Sequence, residues 1–127
     1  MSNPMQTHGA PSWIQHHGKD PAAARKFYET TLGWTVNDMP MQDGSSYAAI
    51  AVGESPVGGF LPQPVPEGAW IIYITVDNVD ARTDKARAGG AEILSEPADF
   101  PGVGRMSTLK DPFGGVISLI TYESQQG

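Results

Sequence analysis

The sequence contains no cysteine, few basic residues and no long apolar run. Without Cys there are no disulfides, thiolate zinc sites or cysteine nucleophiles, as is typical of proteins from a reducing cytosol. Eight Lys and Arg against 14 Asp and Glu give a net charge of −6, which offers no basic surface to nucleic acid or an anionic membrane. No apolar segment approaches the ~20 residues that span a bilayer, and residues 1–12 lack the pattern of a signal peptide. We therefore expect a cytoplasmic protein that binds neither nucleic acid nor membranes.

The length and the turn-forming residues indicate one small, β-rich domain. A chain of 127 residues can bury a core without disulfides and fits a single compact domain, residues 1–127. Its 15 Gly and 11 Pro residues are typical of short strands joined by turns.

Two sequence features recur along the chain at nearly the same offset. SPVGGFL at residues 55–61 is similar to DPFGGVI at residues 111–117. DPAAARKFYETTLGW at 20–34 and NVDARTDKARAGGA at 78–91 each read as a capping residue, a helix and a glycine stop. The shared offset of about 56 to 58 residues indicates a duplicated unit.

The first copy predicts a strand, a helix and three further strands. Asp20 is expected to cap the helix, with Pro21 in its first turn and Gly33 at its end. The i, i+3, i+4, i+7 spacing predicts one buried helix stripe, and Arg25 and Glu29 are spaced to form an ion pair outside it. That stripe consists of Ala24, Phe27, Tyr28 and Thr31. The expected strands are residues 12–17, 34–38, 46–52 and 57–61.

The second copy predicts the same order of elements. A helix over residues 78–88 is closed by Gly89 and Gly90, and the expected strands are residues 70–76, 92–95, 104–109 and 115–122. The proline-rich segment 62–68 favours an extended connector. The fold class is therefore α+β, with two tandem βαβββ modules at about residues 12–62 and 69–122. A ferredoxin-like chain would instead place two strands between its helices.

These motifs resemble the vicinal oxygen chelate superfamily, which includes glyoxalase I, bleomycin-resistance proteins and extradiol dioxygenases. KDPAAARKFYETTLGWTV is similar to the family's first-module helix signature, and VDNVDARTDKARAGGAEILSEP followed by DPFGGVISLI is similar to its second. The resemblance runs from Ser12 to Tyr122 and is strongest to small bacterial glyoxalase-like proteins. It implies curled mixed sheets around a shared cavity, with the helices outside, and a homodimer.

The resemblance also identifies where a metal would be held. Metal-dependent members carry one ligand in the first strand and one in the last strand of each module, and these positions correspond to Trp13, Pro62, Ile71 and Ser118. Trp offers only an N–H donor, Pro and Ile offer no ligand atom, and a neutral Ser hydroxyl is a poor ligand. We therefore expect no metal at the usual family site and no cofactor.

The adjacent pair His16 and His17 invites a metal or acid/base interpretation. Strand side chains alternate between faces, so the two imidazoles cannot chelate one ion together. If Trp13 faces the cavity, Gln15 and His17 share its face, and His16 lies with Ile14 toward the helix. His17 is then either a ligand-contacting or acid/base imidazole, or a polar residue at an exposed strand end.

The same alternation yields a candidate ligand-binding set of aromatic and polar residues. Arg105 is its one cation for an anionic ligand. Apolar walls with a few placed polar groups are typical of small-molecule sites. The set is Trp13, Gln15, His17, Tyr47, Phe60, Tyr73, Arg105 and Ser118.

The sequence is compatible with three functional hypotheses. The first is a glyoxalase/bleomycin-resistance-like protein that binds a small organic molecule in a metal-free cavity. The alternative is a lyase or dioxygenase-type enzyme with His17 as base, or with unexpected metal ligands such as His16, His17 and Glu54. The third is a regulatory or structural dimer whose cavity is filled by side chains. The sequence leaves the presence of catalysis undecided.

Overall fold

The computed structural model describes residues 3–123, which form two compact units. The first unit is Trp13–Ile71, and the second joins the described residues before it to the chain from Ile72 onward. The expectation of a single domain over the whole chain stays a prediction.

The described elements follow the βαβββ order twice. The first set is β1 Pro11–His17, α1 Pro21–Leu32, β2 Thr35–Pro40, β3 Ser46–Val52 and β4 Ser55–Phe60. The second is β5 Ala69–Thr75, α2 Val79–Ala88, β6 Glu92–Phe100, β7 Gly104–Lys110 and β8 Val116–Tyr122, and a 3₁₀ turn at Pro4–Gln6 precedes both sets. The predicted α+β fold class is confirmed. Neither helix within residues 3–123 has the length and apolar composition to cross a membrane.

The strands of the first unit lie in the order β2, β3, β4, β1. β2, β3 and β4 pair antiparallel through short turns, whereas β4 lies parallel to β1. In that parallel pairing Gln15 lies opposite Gly59, and His16 opposite Phe60. Because side chains alternate along a strand, Gln15 and His16 occupy opposite faces of this sheet.

The second unit repeats this arrangement with β5, β8, β7, β6. β5 is parallel to β8, and Tyr73 lies opposite Ser118. β8, β7 and β6 pair antiparallel. Each unit is therefore a mixed sheet whose first and last strands run side by side.

Helix α1 begins and ends where the sequence predicts, but its buried face differs. The Asp20 carboxylate accepts a hydrogen bond from the Ala23 N–H at 3.0 Å, and Gly33 ends the helix with a φ of 72°. Only Ala24 and Tyr28 of the predicted stripe pack on the core, because the guanidinium of Arg25 also faces the sheet and donates to the Val36 carbonyl at 2.9 Å. The contact face is thus rotated by about one residue.

The two other members of the predicted stripe lie outside that contact face. Phe27 is 58% exposed and Thr31 is exposed, so the prediction for them is wrong. The predicted Arg25–Glu29 pair is present at 3.4 Å, and Arg25 also pairs with Asp38 at 2.7 Å.

Each helix covers one face of its own sheet. Beneath α1 the core is Val36, Ile50 and Phe60, with Trp34 and Trp70 among the rings packed against it. Between α2 and its sheet the core is Val76, Leu109, Leu119 and Val79, the last from α2 itself. Burial of this apolar surface on one side leaves the other side of each sheet for polar groups.

Strand β6 is longer than the sequence predicts. It was expected to end at Ser95 and instead reaches Phe100. The register with β7 shifts between Ile93 and Ser95 and again between Ser95 and Ala98, and the second shift includes Pro97. Because β6 is the edge strand of its unit, a proline there costs no ladder hydrogen bond on its outer side.

A buried hydroxyl pair joins α2 to β7. The Thr83 hydroxyl donates to the Val79 carbonyl at 2.7 Å and lies 2.8 Å from the Ser107 hydroxyl, and both side chains are 1% exposed. Since the Thr83 proton is directed to Val79, the Ser107 hydroxyl is the donor of the pair.

We expect Thr83→Val to lower the free energy of unfolding by about 1–3 kcal/mol, because it leaves a buried Ser107 hydroxyl without its acceptor. Ser107→Ala removes only the donor, so its cost should be smaller. The double variant should cost less than the sum of the single ones, as urea unfolding of all four proteins would show. Additive costs would contradict the pairing.

Candidate functional site

Four of the predicted site residues form one hydrogen-bonded chain on a single face of the first unit. The Trp13 indole N–H donates to the Tyr47 hydroxyl at 3.2 Å, and that hydroxyl donates to Gln15 Oε1 at 2.7 Å. Gln15 Nε2 lies 3.0 Å from His17 Nε2. We refer to Trp13, Tyr47, Gln15 and His17 as the first-unit polar chain.

Strand alternation and one glycine account for this placement. Trp13, Gln15 and His17 are alternate residues of β1, and Tyr47 reaches them from β3 across β4. A β-carbon on Gly59 would overlap the Tyr47 ring, so only glycine lets the ring lie flat over β4. Ala49 lies opposite Gly59 and is buried, which adds a second small side chain to the floor.

The polar chain is mostly shielded from water. Gln15 is 9% exposed, and the three other members are half-buried. The Trp13 and Tyr47 rings are 6.4 Å apart and tilted by 30°, so they form a short aromatic wall. A buried amide needs its hydrogen bonds satisfied, which both neighbours of Gln15 help to do.

The His17 imidazole is poised to be neutral. Burial lowers the pKa of His17, and the neighbouring His16 lowers it further. A neutral imidazole has one donor nitrogen and one acceptor nitrogen. His17 therefore offers hydrogen bonding rather than positive charge.

His16 lies on the opposite face, toward the helix as predicted. Its ring centroid is 5.8 Å from that of Tyr28, 5.5 Å from Phe60 and 5.0 Å from Trp70. Its Nδ1 is buried and has no hydrogen-bond partner within residues 3–123, and burial lowers the pKa of His16. Aromatic rings thus surround this buried nitrogen.

Two residues of the predicted set, Phe60 and Arg105, lie instead on the helix side of their own units. Phe60 is 2% exposed in the core beneath α1. Arg105 lies on the helix side of its own unit, where it donates to Asp80 at 2.7 Å and to Asp99 at 3.1 Å. The hydrogen bond to Asp80 is the largest cause of its raised pKa, so this cation is already engaged.

The second unit carries hydroxyl groups on the face that contains Tyr73. Tyr73 hydrogen bonds to Ser118, which lies 2.8 Å from the Thr108 hydroxyl, and burial raises the pKa of Tyr73. On the same face Thr75 donates to the Ser12 hydroxyl at 2.8 Å. Ser12 in turn lies 2.8 Å from the Tyr122 hydroxyl. Tyr73 and Ser118, both members of the predicted set, are thus brought together.

Sequence reasoning missed three contributors to these faces. Gly59, Thr108 and Ser12 were not in the predicted set. Thr108 lies directly opposite Ser118 in the pairing of β7 with β8, and alternation within a single strand does not fix that register. Gly59 carries no chemical group, so only the position of the Tyr47 ring reveals its role.

The family's metal-ligand positions need one correction. The correction concerns Pro62, which lies beyond the end of β4. In the second unit Ser118 lies opposite Tyr73, and in the first unit the residue opposite Gln15 is Gly59. Gly59 rather than Pro62 is therefore the first-unit counterpart of Ser118. The similar motifs differ in local structure: SPVGG belongs to β4, but Asp111 and its followers form a turn before β8. No group of three or more His, Asp or Glu that could hold a metal occurs within residues 3–123.

The unexpected ligand set does not assemble either. His16 and His17 point to opposite faces, and Glu54 is an exposed residue between β3 and β4.

Residues 12–119 match the Glyoxalase/Bleomycin resistance protein/Dioxygenase superfamily. The protein CFP32 of Mycobacterium bovis, by its name an inferred glyoxylase, is 36% identical over 116 residues, which make up 90% of this chain and 44% of CFP32. The anthracycline biosynthesis protein DnrV of Streptomyces peucetius is 29% identical, over 87% of this chain and 46% of its own. The chain thus spans less than half the length of these relatives.

Solved structures show the same fold at low identity. A hypothetical protein from Bacillus halodurans superposes with a TM-score of 0.67 at 16% identity, covering 95% of this chain and 99% of its own. Methylmalonyl-CoA epimerase from Streptomyces coelicolor superposes with a TM-score of 0.62 at 19% identity, covering 93% and 100%.

We expect Gly59→Ala to displace the Tyr47 ring and break the polar chain, since its β-carbon would overlap that ring. Overpacking of this kind costs about 1–3 kcal/mol of stability. The Trp13 indole N–H resonance, assigned with a Trp13→Phe variant, should shift in the NMR spectrum.

Gly68→Ala is the matched control, because a β-carbon there meets nothing closer than the His17 carbonyl at 3.6 Å. Equal effects of the two substitutions would contradict the role given to Gly59.

The free energy of unfolding should fall as the pH drops from ~7 to ~5. The histidines of the unfolded chain take up protons near pH 6.5, whereas the pKa values of His16 and His17 in the folded chain are lower. Above pH ~7 both histidines are neutral in the folded and in the unfolded chain, so this pH dependence of stability vanishes. Carboxylates with lowered pKa, such as Asp77 at about 2, lose their contribution only at more acidic pH.

Urea unfolding across this pH range measures the dependence. His16→Phe and His17→Gln should each flatten it in part, and the double variant should flatten it further. An unchanged slope in the double variant would contradict the assignment.

Proposed function

Because the chain belongs to the Glyoxalase/Bleomycin resistance protein/Dioxygenase superfamily, we propose that it binds a small organic molecule through the polar face of its first unit. The observation that carries the proposal is the hydrogen-bonded chain of Trp13, Tyr47, Gln15 and His17. The proposed contacts are hydrogen bonds and ring packing, and none of them uses a metal ion.

The composition of this face supports a ligand that is planar and polar. Trp13 and Tyr47 supply ring surface, Gly59 and Ala49 supply a floor without protruding side chains, and His17 supplies a hydrogen-bonding edge. Apolar walls with few directed polar groups are the usual makeup of a small-molecule site. The hydroxyls of Tyr73 and Ser118 form a second such face within their own unit.

One relative suggests a class of compound to try first. DnrV is described as an anthracycline biosynthesis protein, and anthracyclines are fused aromatic ketones. A fused aromatic ketone has the flat surface and the acceptor oxygens that the first-unit polar chain is suited to meet. Aromatic ketones are therefore the first ligands that we propose to test.

The remaining expectations stay predictions. Use of His17 as an acid/base group has no geometric support beyond its half-buried position. The homodimer and the cytoplasmic location rest on resemblance and composition, and light scattering of the purified protein would test the dimer.

We expect at least one member of a panel of aromatic ketones, quinones and anthracyclines to raise the Tm in a thermal-shift assay. Ligand at 100 times its Kd stabilises the folded state by about 2.7 kcal/mol. Trp13→Leu should abolish the shift, because it removes ring surface and the indole donor.

Phe113→Ala is the control, since this ring is 94% exposed on the turn before β8 and belongs to neither polar face. A panel without any stabilising compound, or an equal shift in Trp13→Leu, would overturn the proposal.

A further inference from the structure

The hydrogen bonds of the first-unit polar chain all run in one donor-to-acceptor direction, which the Trp13 indole determines. An indole nitrogen can only donate, so the Tyr47 oxygen is an acceptor from Trp13. The single Tyr47 proton is directed to Gln15 Oε1 at 2.7 Å. The Gln15 side chain is thereby oriented with its oxygen toward Tyr47 and its NH₂ group toward His17.

The direction extends to the imidazole. Gln15 Nε2 lies 3.0 Å from His17 Nε2, and an amide NH₂ group can only donate. His17 Nε2 must then be the acceptor, so it carries no proton. In a neutral imidazole the proton is then on Nδ1.

We propose that the polar chain holds His17 as the neutral Nδ1–H tautomer, and that this N–H recognises a ligand by donating to a carbonyl oxygen. The inference rests on the proposed function and deepens it, because it names the ligand group that His17 meets. His17 acts as a specificity-determining residue, and Gln15 and Tyr47 act as positioning residues.

Charge on the protein favours a neutral acceptor over an anion. The net charge is −6, and Arg105, the one cation of the predicted set, is bound to Asp80 and Asp99 in its own unit. Burial lowers the pKa of His17, which keeps the ring uncharged. A carbonyl attached to an aromatic ring matches both the donor and the Trp13 and Tyr47 surfaces.

The tautomer is measured directly by two-bond ¹H–¹⁵N correlation spectra of ¹⁵N-histidine-labelled protein above pH ~7. His17→Asn identifies its signals. The expected pattern has a protonated Nδ1 and an unprotonated Nε2. A protonated Nε2 in the unaltered protein overturns the inference while leaving small-molecule binding intact.

Gln15→Glu gives the most direct test of the His17 tautomer, because the two side chains have nearly the same size and differ in hydrogen bonding. A carboxylate can accept from Tyr47 and from His17 but cannot donate, so the proton should move to Nε2. Gln15→Leu removes the partner and should leave a mixture of tautomers. Backbone ¹H–¹⁵N spectra check that each variant is folded, and Tyr47→Phe supplies a second test, since loss of the hydroxyl should also release the tautomer.

Recognition is tested with 1-indanone and indane, which share one bicyclic frame and differ by a carbonyl. Titration of 1-indanone should shift the His17 Nδ1 signal, and indane should not. Gln15→Glu should weaken the affinity for 1-indanone by at least about tenfold. Equal affinity for both compounds, or no binding of 1-indanone, would overturn carbonyl recognition, and the thermal-shift panel decides the broader function separately.

Discussion

The alternation of side chains along β1 is the constraint on which the first unit depends. Because neighbouring residues point to opposite faces, the strand puts Ile14 and His16 on the side that α1 covers and Trp13, Gln15 and His17 on the other. The apolar side can then be packed with rings, and the open side can carry polar groups. A shift of one residue in register would exchange the two sets and destroy both.

Much of the fold could be predicted because its signals are local. The Asp20 cap, the glycine after each helix and the period-two strands fix element order without knowledge of tertiary contacts. The opposed directions of His16 and His17 follow from the same local rule. The grouping of Trp13, Gln15 and His17 was therefore available from the sequence, whereas the pairing of Tyr73 with Ser118 depends on the register of β5 with β8.

The errors arise where contacts between elements override local pattern. Arg25 reaches the sheet and rotates the buried face of α1, which leaves Phe27 in water. Pro97 lies within a strand because bulges and an edge position accommodate it. The motif SPVGGFL resembles DPFGGVI in letters, yet one is a strand and the other begins with a turn, so the sequence offset misplaces Pro62.

The two histidines show why equal residue types acquire different roles. His16 has a buried nitrogen with no hydrogen-bond partner among the described residues, and burying an unpaired polar atom is unfavourable, so aromatic packing must offset that cost. His17 has a partner that specifies which nitrogen is protonated. A purely structural face would gain more from apolar side chains than from a half-buried polar chain, because ordering an amide, a phenol and an imidazole costs side-chain entropy. What the chain provides beyond stability is a fixed donor at its end, which is the group that the proposed carbonyl recognition would use.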